Sequence, residues 1–207
     1  SQNKSCIDVG ANVGQSIEYF KNKFRKVYAF EPNPKNCKFL KRKYKKNKNI
    51  LIFDFALGNK TEEKTLFIPF WRHLISLHHT ASFYKNECYS TLKEFLNLKK
   101  SSITFKTAKV KVTEMNKFYF KNISFIKIDA EGYEKEILLG MKRILKNKNI
   151  TLLIENSSRS FNFSKKFLKN YDYEPFSFRN NKLTRTKVNK SLNVYFINKA
   201  NISRLKI

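Results

Sequence analysis

Two hydrophobic periods take turns along the chain: short continuous apolar runs, and stretches whose apolar residues recur three and four apart. Ser5 to Val9 is a short apolar run that ends in glycine, the pattern of a buried strand entering a tight turn. Ile17, Phe20 and Phe24 then lie at helical spacing between Gly14 and Phe24. KVYAF (Lys26 to Phe30) predicts a second strand, and Asn33 to Tyr44 a helix with Phe39, Leu40 and Tyr44 on one side. Asn33 followed by Pro34 suits an N-cap and a first helical position. ILIFDF (Ile50 to Phe55) predicts a third strand. Strand, helix, strand, helix, strand implies a parallel sheet with right-handed crossovers.

The middle of the chain is less regular. Gly58-Asn59 reads as a turn and Lys64 to Ile68 as a short strand. KTAKVKV (Lys106 to Val112) alternates like a strand. Regularity returns with strands at Ser124 to Ile128 and Asn149 to Glu155, and helices at Tyr133 to Leu145 and Ser164 to Asn170. Two last runs, Tyr173 to Phe178 and Leu192 to Asn198, have no helix between them and are expected to form an antiparallel pair. The expectation is one α/β domain over 1–207, with an irregular substrate-side insertion at about 67–105.

Composition adjusts this picture little. At 207 residues and 41% hydrophobic content the chain can fill one core. No apolar run is long enough to span a membrane, and no apolar h-region marks a signal peptide. The chain opens almost directly on its first strand, which leaves room for a native segment ahead of Ser1. Cys6, Cys37 and Cys88 form no CxxC pair, so neither a zinc site nor a disulfide framework is signalled, and a reducing, cytoplasmic setting is expected. The net charge of +27 is compatible with an anionic partner such as nucleic acid, a membrane surface or a phosphorylated substrate. However, the 35 lysines far outnumber the 8 arginines and are dispersed, which favours general surface charge over a specific nucleic-acid reader.

The chemistry gathers where the strands end. In CIDVGANVGQ (Cys6 to Gln15), Gly10 and Gly14 allow close backbone approach, and Asn12 is the non-glycine residue that best tolerates left-handed backbone. The glycine spacing is not that of a dinucleotide fingerprint, and Asp8 would repel a pyrophosphate. A carboxylate there suits a ligand with a positive end. Glu31 ends the second strand, where an acid can accept hydrogen bonds from ribose hydroxyls. Asp54 ends the third, within reach of an adenine amino group. Ribose, adenine and a cationic methionine end together describe S-adenosylmethionine.

These blocks resemble the FkbM-type family of S-adenosylmethionine-dependent methyltransferases. The resemblance is carried in order by CIDVGANVGQ, AFEPNP (Ala29 to Pro34), FALGN (Phe55 to Asn59), a weak TASF (Thr80 to Phe83) and FIKIDAEGYEKEILLGM (Phe125 to Met141). It departs from the family at VTEMNKF (Val112 to Phe118), where a Leu-Asp is usual, and across Phe67 to Ser82. It implies a Rossmann-like class I methyltransferase fold, with a seven-stranded, mostly parallel sheet, helices on both faces and an antiparallel last strand. It implies methyl transfer, usually to a hydroxyl of a sugar, glycan or other small molecule. Carried over by position, the cofactor residues are Asp8, Gly10, Asn12, Gly14, Glu31 and Asp54, with Pro32, Asn33 and Ala56 from the second and third blocks.

For catalysis, Asp129 or Glu131 is placed to orient or deprotonate the acceptor. Lys127, two residues before Asp129 on the same strand face, either serves there or forms a structural ion pair. Glu134 and Glu136 read as helix-dipole or solvated charge. His78, His79, Ser82 and Glu155 are candidates for the acceptor side. Asp129, Glu131 and Glu155 offer oxygen ligands for a divalent ion, but their spacing does not require one, and no metal is expected. Two other readings compete: an RNA or DNA methyltransferase using the basic surface, and a non-catalytic binding protein on the same fold. The first lacks an N-P-P-Y-type segment and any appended RNA-binding module. The oligomeric state is left open by the sequence.

Overall fold

The computed structural model describes residues 3–156, 160–185, 188 and 191–203. The first five elements follow the pattern of the sequence: β1 (Ser5–Val9), α1 (Gln15–Phe20), β2 (Lys26–Phe30), α2 (Pro34–Lys43) and β3 (Ile50–Phe53). Asn33 caps α2, its Oδ1 accepting from the Lys35 N–H at 3.1 Å, with Pro34 at the first helical position.

The middle is more ordered than its pattern predicts. β4 (Ala56–Gly58) leads to β5 (Glu62–Trp71), ten residues long where a five-residue strand was expected. A short β6 (Ile75–Ser76) and a single turn, His78–Thr80, precede the twelve-residue helix α3 (Lys85–Leu96). β7 (Ile103–Glu114) then pairs with β5 over its whole length. The stretch at 67–105 is therefore not irregular. β5 (EEKTLFIPFW) alternates little and β7 (ITFKTAKVKVTE) only in its middle, so the pattern shows less than the strands' full lengths, which ten antiparallel pairs set in the fold.

The remaining elements are β8 (Ile123–Ile128), α4 (Glu134–Leu139), α5 (Lys142–Leu145), β9 (Thr151–Glu155), α6 (Phe161–Lys169), β10 (Tyr173–Arg179), β11 (Lys182–Thr184), β12 (Asn193–Asn198) and α7 (Lys199–Ile202). The main sheet has the order β11-β10-β12-β9-β8-β1-β2-β3. β1, β2, β3, β8 and β9 run parallel, and β12 is antiparallel to β9 and β10. The sheet has eight strands rather than the seven expected, because the edge hairpin adds β11, whose three residues are too few to give a periodic signal. Residues of α1 and α2 pack on one face with Cys6, Val27 and Ala29. Residues of α4, α5 and α6 pack on the other with Ile7, Ile126, Leu152 and Phe196. The second sheet, β4-β7-β5-β6, joins that second core through Leu57 and Val112, with Met115 just after β7.

The single helix expected over Tyr133 to Leu145 is broken in two at Gly140. A Cβ there would lie 1.7 Å from the Gly58 carbonyl oxygen, so the missing side chain lets α4 press on β4. The backbone at Gly140 is right-handed, so contact rather than conformation demands glycine. Gly140→Ala is expected to lower stability by about 3 kcal/mol or more, since the obstruction is backbone and cannot rotate away. Denaturant unfolding of the two proteins measures it.

Candidate active site

The strand order reverses between β1 and β8, and in open α/β sheets the crevice beyond the carboxyl ends at that point receives ligands. A cavity of about 240 Å³ lies there. Its floor is Val9, Gly10, Lys127 and Asp129, and Glu31, Pro32 and Asn36 line it on the β2–α2 side. His78, His79 and Ser82 line it from the second sheet.

The turn after β1 is built for close approach. Gly10 has φ +79, and its Cβ would fall 1.8 Å from the Asp129 carbonyl oxygen, so the ends of β1 and β8 meet only because it is glycine. Asn12 takes the left-handed conformation, φ 52, as its residue type suggested. Glu31 holds the turn: one carboxylate oxygen accepts from the Asn12 N–H at 2.7 Å, the other from the Asn33 N–H at 2.9 Å. Burial pushes its carboxyl up to about 7, against the pull of those two N–H groups.

Asp8 and Lys127 are paired residues on neighbouring strands. Asp8 is fully buried, and the Lys127 Nζ stands 3.6 Å from it and 2.8 Å from Asp129. Burial works against the lysine's charge, but the two carboxylates raise its pKa above the ordinary value. Lys127 is thus both an ion-pair partner and part of the cavity wall.

Glu131 has φ 48, an uncommon left-handed backbone for a glutamate, in the loop between β8 and α4. That loop is pinned from both sides. The buried Glu134 carboxylate accepts from the Ala130 and Gly132 N–H groups at 3.0 and 3.2 Å, and the Ser82 hydroxyl donates to the Glu131 carbonyl at 2.7 Å. Glu134 therefore serves neither as a solvated charge nor chiefly through the helix dipole. The Glu131 carboxylate accepts from Thr91 on α3 at 3.2 Å, and burial, followed by repulsion from Asp129, pushes it up to about 7. Carboxylate oxygens of Asp129, Glu131 and Glu155 come within 4.8 Å of one another, a set that oxygen-loving divalent ions can use. Burial and then these neighbouring charges push Glu155 up to about 10.

Several expected site residues stand elsewhere. Asp8 lies beneath the cavity rather than in it, facing Lys127. Gly14 caps α1 and faces Leu40 and Tyr44 of the α2 end. Asn33 is buried as the α2 cap. Asp54 points outward to Lys41 at 2.6 Å, because β3 ends at Phe53 and the chain turns away before it. Glu155 is close to Asp129 but does not line the cavity. Gly10, Asn12, Glu31, Pro32, Ala56, His78, His79, Ser82, Lys127, Asp129 and Glu131 are brought together.

The structure adds residues that the pattern did not single out. Asn36 donates to Asn12 Oδ1 at 3.2 Å, and the His79 Nδ1 lies 3.0 Å from the same oxygen. The turn His78–Thr80 thereby closes over the glycine turn. Tyr133, Leu66 and Phe83 supply apolar wall, and Thr91 reaches in from the unanticipated helix. Asn36 had a readable signal, since it stands two residues after the N1 proline of a helix that opens at the strand ends. Thr91 had none.

The family model described as the methyltransferase FkbM domain matches residues 8–175. The chain is similar to the crystal structure of an FkbM methyltransferase from Methylobacillus flagellatus KT, with 20% identity and a TM-score of 0.55, covering 94% of this chain and 43% of that one. It therefore spans less than half the length of that protein. A putative methyltransferase from Streptococcus mutans in complex with SAH gives 12% identity and a TM-score of 0.47, with 95% and 88% covered. Aeropyrum pernix fibrillarin with natively bound S-adenosyl-L-methionine gives 8% identity and a TM-score of 0.49, with 95% and 66% covered. No curated protein sequence matches. With the family model running over most of the chain, on a Rossmann-like sheet whose switch point opens into an acid-lined cavity, the chain belongs to the FkbM family of methyltransferases, which use S-adenosylmethionine.

Proposed function

We propose that this chain transfers the methyl group of S-adenosylmethionine to a hydroxyl oxygen of a sugar, glycan or other small molecule. The observation that carries the reading is one cavity that brings Glu31 and the glycine turn to one side and Asp129 and Glu131 to the other. Glu31 takes the ribose hydroxyls, and Gly10, Asn12 and Pro32 form the bed beside it. Asp8 acts from below through Lys127 rather than touching the sulfonium directly.

The cofactor supplies an activated methyl group, so positioning the acceptor in line with it carries much of the rate. What remains is a proton. Glu131 has the environment of a general base near neutrality, with burial and Asp129 raising its pKa and Thr91 fixing its direction. Asp129, held by Lys127, orients the acceptor hydroxyl. His78 lies alongside with its pKa lowered by burial and by His79, so near neutrality it meets the acceptor uncharged. At about 240 Å³ the cavity is close to the lower end of the roughly 300–1,000 Å³ usual for ligand sites, and opening the His79–Asn12 contact would enlarge it.

A screen with methyl-labelled cofactor over glycans, lipid-linked sugars and RNA tests the acceptor class. The reading expects label on a hydroxyl-bearing sugar or small molecule. Label on an RNA base would overturn it and favour a nucleic-acid methyltransferase, whereas no label on any acceptor from protein that binds the cofactor would favour a binding protein.

A second expectation concerns pH. Glu131 is active as the carboxylate, and its folded pKa of about 7 lies above the ordinary glutamate value, so turnover on an identified acceptor should rise as pH rises through about 7. Glu131→Gln should lower turnover about a hundredfold or more and flatten that rise. A profile that keeps its shape in the variant would remove Glu131 from the role.

A further inference from the structure

We propose that the outer end of the second sheet is a docking surface for an anionic lipid bilayer, which the protein meets peripherally. This inference does not depend on the methyl acceptor or on the roles given above.

The surface is assembled from two distant segments. Strand pairing sets Trp71 against both Ile75 and Ile103, and the Arg72 N–H donates to the Ser102 carbonyl at 2.8 Å. The reversal after β5 is thereby fastened to the segment that follows α3. On the first segment Leu74 is 84% exposed and Ile75 51%; at the end of α3 Phe95 is 62% and Leu96 54% exposed. Four of the nine large apolar side chains exposed among the described residues thus lie on the two segments that this contact joins. Isolated exposed leucines need no explanation, but a group of them on a projecting edge does.

The turn itself is costly. Arg72 and His73 both have positive φ, 47 and 61, and the Leu74 N–H returns to the Trp71 carbonyl at 3.0 Å. Two consecutive left-handed residues in a tight turn favour Asn and Gly, and here the three-residue loop between Trp71 and Ile75 places Arg and His there. The strained reversal sets a cation at the tip and turns Leu74 out to solvent.

The surrounding charge is mostly positive, with Glu94 beside Phe95 as the nearest acid in sequence. No Asp or Glu occurs from Pro69 to Asn86 or from Phe95 to Thr113, whereas Arg72, Lys99, Lys100 and Lys106 fall within these stretches. Apolar side chains on an edge ringed by cations match an anionic headgroup layer over hydrocarbon. No helix among the described residues is long and apolar enough to cross a membrane, so the contact is with the surface.

Single-stranded RNA would also welcome the cations, but it needs free aromatic faces on which bases stack. The rings of the strands and helix behind the edge carry cations, Lys85 over Phe67 and Phe105, Lys106 over Phe70, Lys100 over Tyr89 and Arg72 over Trp71, at 4.7–5.6 Å, which leaves Phe95 as the one aromatic among the four exposed side chains. Three of the four exposed apolar side chains are aliphatic. From Ile75 the chain reaches His78 of the cavity wall in three residues, at most about 10 Å, so the docked surface lies close to the site.

Trp71, the only tryptophan, is a built-in probe. The full chain is mixed with vesicles of phosphatidylcholine alone or with equal parts phosphatidylglycerol, some carrying bromine on the acyl chains. Binding to the mixed vesicles, with quenching of Trp71 by the brominated lipid, is expected. The double variant Leu74→Ser, Ile75→Ser, shown by its melting curve to be folded, should bind roughly tenfold more weakly or worse and lose the quenching. Absence of binding to the mixed vesicles would overturn the proposal. So would binding without quenching that the double variant leaves unchanged, which would reduce the effect to the attraction of the whole +27 chain. Tighter binding of single-stranded RNA, weakened in the same variant, would assign the surface to RNA instead.

Discussion

The buried pairing of Lys127 with Asp8 and Asp129 is the constraint around which the site is arranged. Asp8 is fully enclosed, and an unpaired carboxylate there would cost several kcal/mol. Lys127 answers it from the adjacent strand and reaches on to Asp129 at the cavity floor. The strand ends that flank the switch point are thus tied by charge as well as by the ladder. Gly10 allows them to meet, since any side chain there would strike the Asp129 carbonyl.

From that tie the electrostatics of the cavity follow. Five carboxylates lie in or near it (Asp8, Glu31, Asp129, Glu131 and Glu155), and the single charge of Lys127 is shared between two of them. Glu31 is stabilised by backbone N–H groups. Glu131 and Glu155 are left to repel Asp129 and each other, which, added to burial, holds both pKa values high. A cationic cofactor held there would relieve this repulsion. The acidic interior of a chain that carries +27 overall is therefore a local design.

Much of this was legible in the sequence, for identifiable reasons. The β1, β2 and α2 segments are short, apolar and punctuated by Gly10, Asn33 and Pro34, so pattern and turn chemistry agree. The acids at the strand ends were legible as residues, but their directions were not. Asp8 and Glu31 each end or nearly end a strand, yet one points down to a lysine and the other holds a turn. Asp54 follows the end of β3 and pairs with Lys41, outside the cavity lining. Side-chain direction at a strand's last residues depends on where the strand stops, and pattern fixes that poorly. Of the second sheet, the middle of β5 and much of β7 were legible as strands, but their full lengths and their pairing were not, because pairing between residues dozens of positions apart leaves little local signal.

The central claim is that the cavity beside Glu31 is the cofactor site, with that carboxylate on the ribose. Calorimetric titration of S-adenosylhomocysteine into the wild-type protein and into Glu31→Ala, each shown to be folded by its melting curve, tests it most directly. The account predicts saturable binding to the wild type and affinity weakened roughly ten- to a hundredfold in the variant, the loss expected for charge-assisted hydrogen bonds. Equal affinity in the two proteins, or no binding to the folded wild type, would contradict it.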